Sequence, residues 1–364
     1  MWNQILRLLI GTLLVACLIV RAEAAELPVR LHYPTKVSDV VLTGVENGEV
    51  LFRPAGRDTG GRAYITIESL LELGVTFYFM FPAEFYEAVG QIKQGKPGLA
   101  ERALPVIRQK AAPFLDVMEL SVLPGNHLPA VYSYLDALRA AQQWAEAVEV
   151  ATQIPLTAAP PEALQRIGTL ALDLHRAGQG DQLQRLHRYI EAPSGYSARH
   201  VAQLMDLADQ WREAGVYVTA HELYRKVRRY AGPLQTRAQL WVGYCSFYLG
   251  EEIVPATFLG DLPEMDVTTP GYSLRELIKA RLRLREEEYD AAMRSAAEGK
   301  TYASPADSWY PELLFVLANL YDEFEMEGAS EAARRELSIL FPSSPWAGES
   351  RQTLENQPLE NLNL

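Results

Sequence analysis

Hydrophobic and polar positions recur along most of the chain with the spacing of paired helices. The plainest copy runs from Val201 to Pro233, VAQLMDLADQWREAGVYVTAHELYRKVRRYAGP. Leu204, Leu207 and Trp211 fall on one face of a first helix, Tyr224 and Val227 on the facing side of a second, and Gly215 sits at the turn. Ala208 and Ala220 are small where the two helices must approach closely. A hairpin of this size leaves an apolar face that it cannot bury alone, so copies must stack. Helical hairpins are expected to begin near Pro82, Leu128, Pro161, Ser197, Pro233, Tyr272 and Ser308, at intervals of roughly 35 residues after a longer first step. Pro160-Pro161, Gly178, Gly195, Gly232-Pro233, Pro270-Gly271, Gly328 and Pro342 punctuate the pattern. Residues 252–270 are its weakest part, because Pro255 and Pro263 shorten the second helix of that hairpin.

Ahead of the helices, residues 37–67 read as β structure. VSDVVLTGV alternates, Asn47-Gly48 signals a hairpin, and VLFRP and AYITI supply two further strands. Three short strands are not stable alone, so they are expected to form a small curled sheet, SH3-like, packed on the first helices. It serves either as a cap over the apolar end of the array or as a ligand-binding barrel. The aromatic run GVTFYFMFPAEFY, Gly74 to Tyr86, reads as the seam between sheet and helices, with an exposed docking site as the alternative. The expected divisions are a β module over 25–75, a helical array over 76–347 and a polar tail over 348–364.

Residues 1–24 read as a signal peptide. Arg7 lies in a short n-region, LLIGTLLVACLIV is the apolar core, and Ala22-Glu23-Ala24 fits a small-x-small cleavage site. An uncleaved membrane anchor is one alternative. Another is lipidation at Cys17, because Leu14-Val15-Ala16-Cys17 looks like a lipobox, although Leu18-Ile19-Val20 continue the apolar run. Ordinary cleavage leaves Cys245 alone, which excludes an intramolecular disulfide in the mature chain. These features point to an exported protein, periplasmic or associated with the outer membrane, that meets the membrane only through a lipid or a retained leader.

Composition narrows the partner. Hydrophobic residues make up 48% and charged residues 22% of the 364-residue chain, and the formal net charge is −12. That balance suits a folded chain with a large core and argues against nonspecific binding to nucleic acid, which needs positive surface.

The residues of the Val201–Pro233 copy resemble the tetratricopeptide repeat (TPR), a helical hairpin with small residues at its eighth and twentieth positions. A second copy carries Ile167, Leu170, Ala171, Leu174, Gly178, Leu183 and Ile190, with leucine in place of the second small residue. Partial copies hold Leu135, Leu138, Ala147 and Ala151; Ala280, Ala292 and Ala296; and Leu314, Leu317, Ala318 and Tyr321. The closing segment LSILFPSSPWA is similar to a signature of bacterial envelope repeat proteins. The resemblance implies a mostly α chain: a TPR-like α-solenoid of six or seven hairpins behind the β module, binding a protein or peptide partner in its groove.

Catalytic chemistry finds no foothold. The six histidines show no paired metal-ligand spacing, and there is no phosphate loop, nucleophile elbow or CxxC. No cofactor or metal is expected, and the alternative enzyme would be a murein-cleaving type with one catalytic carboxylate in a deep apolar pocket. In the resembled class the groove is lined by first-helix residues outside the packing signature. Here these are Tyr132, Asp136, Arg139, His175, Arg176, Met205, Asp209, Arg212, Ser246, Arg281, Arg285, Asn319 and Asp322. Arg139, Arg176, Arg212 and Arg285 occupy nearly equivalent positions. Stacked, they would form a positive column able to clamp carboxylates of an extended peptide, unless each merely offsets a helix dipole.

Overall fold

A computed structural model of the chain describes residues 26–56, 61–96, 98–250, 260, 262 and 264–356. The leader with Cys17, the segment holding Pro255 and Pro263, and the tail from Gln357 lie outside the described residues. The chain divides into two compact units, Met1–Gln203 and Leu204–Leu364.

The first unit opens with five strands, β1 (Leu27–His32), β2 (Val37–Glu46), β3 (Glu49–Pro54), β4 (Ala63–Thr66) and β5 (Thr76–Phe79), with a short helix, α1 (Ile67–Glu72), before the last. All neighbours pair antiparallel in the order β4-β3-β2-β1-β5. Asn47 and Gly48 both take positive φ, and Glu46 pairs with Glu49, so the Asn-Gly signal makes its tight hairpin. The sheet has two strands more than expected and extends past residue 75. The aromatic run supplies β5 because TFYF alternates: Phe77 and Phe79 point into the core, and Tyr78 points out. It is also the expected seam, since the Phe79 ring lies 4.7 Å from Phe114 and 5.9 Å from His127. The outer edge of β5 is covered. Phe77 exchanges backbone hydrogen bonds with Pro124 and Asn126, and the Asn126 side chain both accepts from Phe79 N and donates to Phe79 O at 2.8 Å. Gly125 makes this approach possible, because a Cβ there would fall 2.5 Å from the Phe77 carbonyl oxygen.

Helical hairpins follow. In the first unit they are α2 (Ala83–Lys93) with α3 (Leu99–Ala111), α4 (His127–Ala140) with α5 (Trp144–Ala151), and α6 (Glu162–Arg176) with α7 (Gly180–Glu191). A 3-10 stretch, Ala112–Val122, fills the longer first step. Helix α8 (Ala198–Glu213) spans the unit boundary. The second unit continues with α9 (Tyr217–Val227), α10 (Gln235–Tyr248), α11 (Tyr272–Arg285), α12 (Tyr289–Tyr302), α13 (Tyr310–Glu323), α14 (Glu327–Leu340) and α15 (Pro345–Asn356). Helix α15 takes up residues assigned to the polar tail, because Ser344-Pro345 starts a further helix. No described helix is long and apolar enough to cross a membrane.

One turn recurs. Gln142, Gly178, Gly215, Gly250, Glu287 and Glu325 all have left-handed φ, between 53° and 75°. At five of them the next N–H reaches back to a carbonyl five residues earlier, as in Gln143 to Leu138, Gln179 to Leu174, Val216 to Trp211, Glu288 to Arg283 and Met326 to Tyr321. This is the Schellman closure, which satisfies the last carbonyls of one helix and reverses the chain into the next. Ala208, Ala220, Ala292 and Ala296 are fully buried beside such turns, as close helix approach requires.

Candidate functional site

In the first unit, α4 and α6 are the first helices of adjacent hairpins and place their polar residues against one another. Arg139 bonds Asp136 at 3.1 Å and Asp173 at 2.6 Å, and Arg166 bonds Asp136 at 2.5 Å. Arg176 lies 3.5 Å from Asp173. The Arg166 guanidinium covers the Tyr132 ring at 4.8 Å. The Tyr132 hydroxyl is buried without a hydrogen-bond partner, and burial raises its pKa to about 12. His175 and Arg176 are exposed. This part of the predicted face is therefore accessible, but it is a ladder of alternating charge and not a positive column.

In the second unit several predicted groove residues turn inward. Met205 is 2% exposed and packs in the core. Ser246, also 2% exposed, lies 3.0 Å from His221 Nε2. Arg212 is buried with its guanidinium 3.8 Å from the Trp241 ring. It donates to the Tyr224 hydroxyl at 3.1 Å and to Ser308 Oγ at 3.2 Å. Asp209 accepts from Tyr224 at 2.5 Å and from Arg237 at 2.8 Å. Asn319 and Asp322 both accept from the buried Arg334, at 3.1 and 2.5 Å. Arg285 alone of the unit's predicted basic residues is exposed. The expected carboxylate clamp therefore does not include Arg212, and Met205 and Ser246 line no open groove. All three are enclosed by neighbouring helices.

The residue that organises this interior was missed. Glu312 is 1% exposed on α13 and accepts hydrogen bonds from Tyr244 at 2.5 Å, Tyr248 at 2.7 Å and Arg281 Nε at 2.8 Å. Burial opposes the Arg281 charge, but Glu312, Tyr248 and Tyr244 together outweigh that cost and keep its pKa above the ordinary value. Tyr217 stacks on Tyr248 at 4.6 Å, and Trp241 meets Trp309 at 5.8 Å. The Tyr244 and Tyr248 bonds and the Trp241–Trp309 contact join α10 to α13, which are not neighbours in the hairpin order. A signal was present: Glu312 is the one acid inside the apolar run YPELLFVLANL, and Tyr244 and Tyr248 share a helix face.

Ser246, His221 and Glu222 come nearest to catalytic geometry, with His221 Nδ1 3.4 Å from Glu222. The connectivity is that of a hydrolase triad. Yet Ser246 sits buried in the last turn of α10, so nearby backbone N–H groups serve the helix and supply no oxyanion hole. Cys245 beside it is buried, and burial raises its thiol pKa to about 12, far from a reactive thiolate. A shallow depression of about 370 Å³ is lined by Lys279, Arg283, Arg294 and Glu298. Lys279 is bonded to Glu276 and Arg283 to Glu288. Among the described residues no cluster could hold a metal ion.

The geometry defines a class: TPR-like helical hairpins behind an antiparallel sheet. No family model matches the chain, and no curated protein matches it. Of the solved structures that match, three illustrate the low level of similarity. They are PilF from Pseudomonas aeruginosa (14% identity, TM-score 0.34, covering 65% of this chain and 99% of that one), the C-terminal part of a TPR repeat-containing protein from Cytophaga hutchinsonii (12%, 0.35, 73% and 98%), and BtubC from P. vanneervenii (14%, 0.32, 74% and 93%). The assignment stands on the hairpins and their repeated turn.

Proposed function

We propose that this chain is an exported scaffold that holds a protein or peptide partner in the bacterial cell envelope. The observation that carries the reading is the accessible ladder on α4 and α6, where Asp136, Arg139, Arg166 and Asp173 are half-buried and His175 and Arg176 are exposed. Each such ion pair contributes less than about 1 kcal/mol. An extended peptide can therefore exchange its own charges for internal ones at small cost. The leader-like residues 1–24 support export.

Affinity purification from the envelope fraction tests the scaffold, using wild type and the Arg139→Glu/Arg176→Glu variant. Loss of a reproducible partner with an unchanged melting temperature is expected. Equal recovery would remove this face from the reading. Fractionation of the full chain tests location separately, and retention in the cytoplasm would end the envelope part. The lipobox-like Leu14-Val15-Ala16-Cys17 carries a second arm. Palmitate labelling that disappears in Cys17→Ala would make the protein a lipid-anchored factor, and labelling absent from both leaves a cleaved or retained leader.

A further inference from the structure

We propose that Tyr244, Tyr248 and Arg281 form a carboxylate-binding site that Glu312 occupies intramolecularly, so that the second unit takes an acidic peptide by exchanging its glutamate or aspartate for Glu312. This rests on the scaffold reading and goes beyond it by naming the ligand chemistry and the element that guards the site.

Three observations carry the proposal. The donors converge from two first helices, α10 and α11, onto one carboxylate. Those are the faces that TPR-like hairpins are expected to offer a partner, and here α13 of the same chain covers them. The contact also joins hairpins 64 and 68 residues apart. Stacking of consecutive hairpins does not require it, since each hairpin already buries its apolar face on its neighbour. Finally, Glu312 is an incomplete partner. It engages Arg281 only through Nε, and the Arg281 Nη2 group is buried with no hydrogen-bond partner. A carboxylate arriving on a flexible peptide can take Nε and Nη2 together, the stronger bidentate geometry, which Glu312 does not make. The walls suit a peptide carboxylate: the stacked Tyr217–Tyr248 pair, and the Trp346 ring 5.0 Å from the Arg281 guanidinium.

Occupancy by Glu312 makes the site self-inhibited. A ligand sees only the fraction of molecules in which α13 has released it, and its apparent affinity falls by that fraction. Weakening the internal ligand should therefore strengthen binding of an external one, an outcome a purely structural glutamate would not produce.

The test uses fluorescein-labelled hexaglutamate, with binding read by anisotropy on the full chain carrying Cys17→Ser. Glu312→Gln should bind at least tenfold more tightly than the parent, and Glu312→Gln/Arg281→Gln should lose that gain. In the parent, saturating hexaglutamate should raise the rate at which buried Cys245, the residue after Tyr244, reacts with a thiol reagent by at least threefold. This second measurement needs no destabilised variant. No gain in Glu312→Gln together with unchanged Cys245 reactivity overturns the proposal, and so does a gain that survives loss of Arg281. A partner recovered through Arg139 and Arg176 while hexaglutamate fails here would leave the scaffold reading standing without this site.

Discussion

The two units use the same hairpin and the same turn, yet they treat the polar residues of their first helices in opposite ways. In the first unit Asp136, Arg139, Arg166 and Asp173 join adjacent hairpins and remain half in water. In the second unit Tyr244 and Tyr248 join α10 to Glu312 on the non-adjacent α13, Arg281 reaches the same carboxylate from α11, and that carboxylate is out of water. The difference is one of dielectric. A partly solvated pair loses little when broken, because water replaces the lost partner. A buried carboxylate must keep its donors, since each removal leaves an uncompensated group. The hairpin code thus sets where polar residues lie, and the degree of closure sets what they are worth.

The sharpest way to break this comparison is to remove one acid from each unit. Glu312→Ala leaves Arg281 buried without its counter-charge and should cost about 3–5 kcal/mol. Asp136→Ala should cost less than about 1 kcal/mol. Denaturant unfolding measures both, and similar losses would show that closure has not changed the worth of these residues.

Acid offers a second probe, directed at the first unit. His127 lies at the seam with its ring 5.9 Å from Phe79, and burial lowers its pKa from 6.5 to about 4. The unfolded chain takes up a proton below about pH 6.5 while the folded one resists until about pH 4. Stability is therefore full above the upper value and falls as pH drops toward the lower one, by about 3 kcal/mol. Half-buried His187, also lowered to about 4 by desolvation, adds to the same slope. His127→Asn should flatten part of that slope in pH-dependent unfolding. An unchanged slope would mean that the seam histidine is already solvated.

The smallest effect sharpens what the units share. Gln142, Glu287 and Glu325 hold left-handed backbone that glycine adopts without strain, as Gly178 and Gly215 do at the equivalent turns. Gln142→Gly in one unit and Glu325→Gly in the other should each raise stability by about 0.5–1 kcal/mol, and Gly215→Ala should lower it by a similar amount. Thermal melts of the three variants check this. A gain in only one unit would show that the turns are equivalent in form and unequal in load.

Much of the fold was legible because its signals are local. The hairpin starts near Leu128, Pro161, Ser197, Pro233 and Tyr272 lie close to the observed helices α4, α6, α8, α10 and α11, since apolar period, prolines and turn glycines act within one hairpin. The left-handed turns at Gln142, Glu287 and Glu325 were hidden, because Schellman closure can hold a non-glycine residue there at modest cost. Strands β1 and β5 were missed for another reason: β1 carries Pro28, which weakens a strand signal, and β5 lies within an aromatic run that also serves as the seam. The predicted groove was legible only in part. Asp136, Arg139, His175 and Arg176 sit on the first unit's accessible or half-buried face, whereas Tyr132, Met205, Arg212 and Ser246 are enclosed.

Periodicity and turn chemistry were enough to establish a hairpin repeat behind a small sheet, since those forces act over a few residues and leave a regular trace. Which polar residues face water and which face another hairpin was decided only when distant helices met. Glu312 finds Tyr244 across 68 residues, and no local pattern records how far a stack of hairpins must curve before its own members touch.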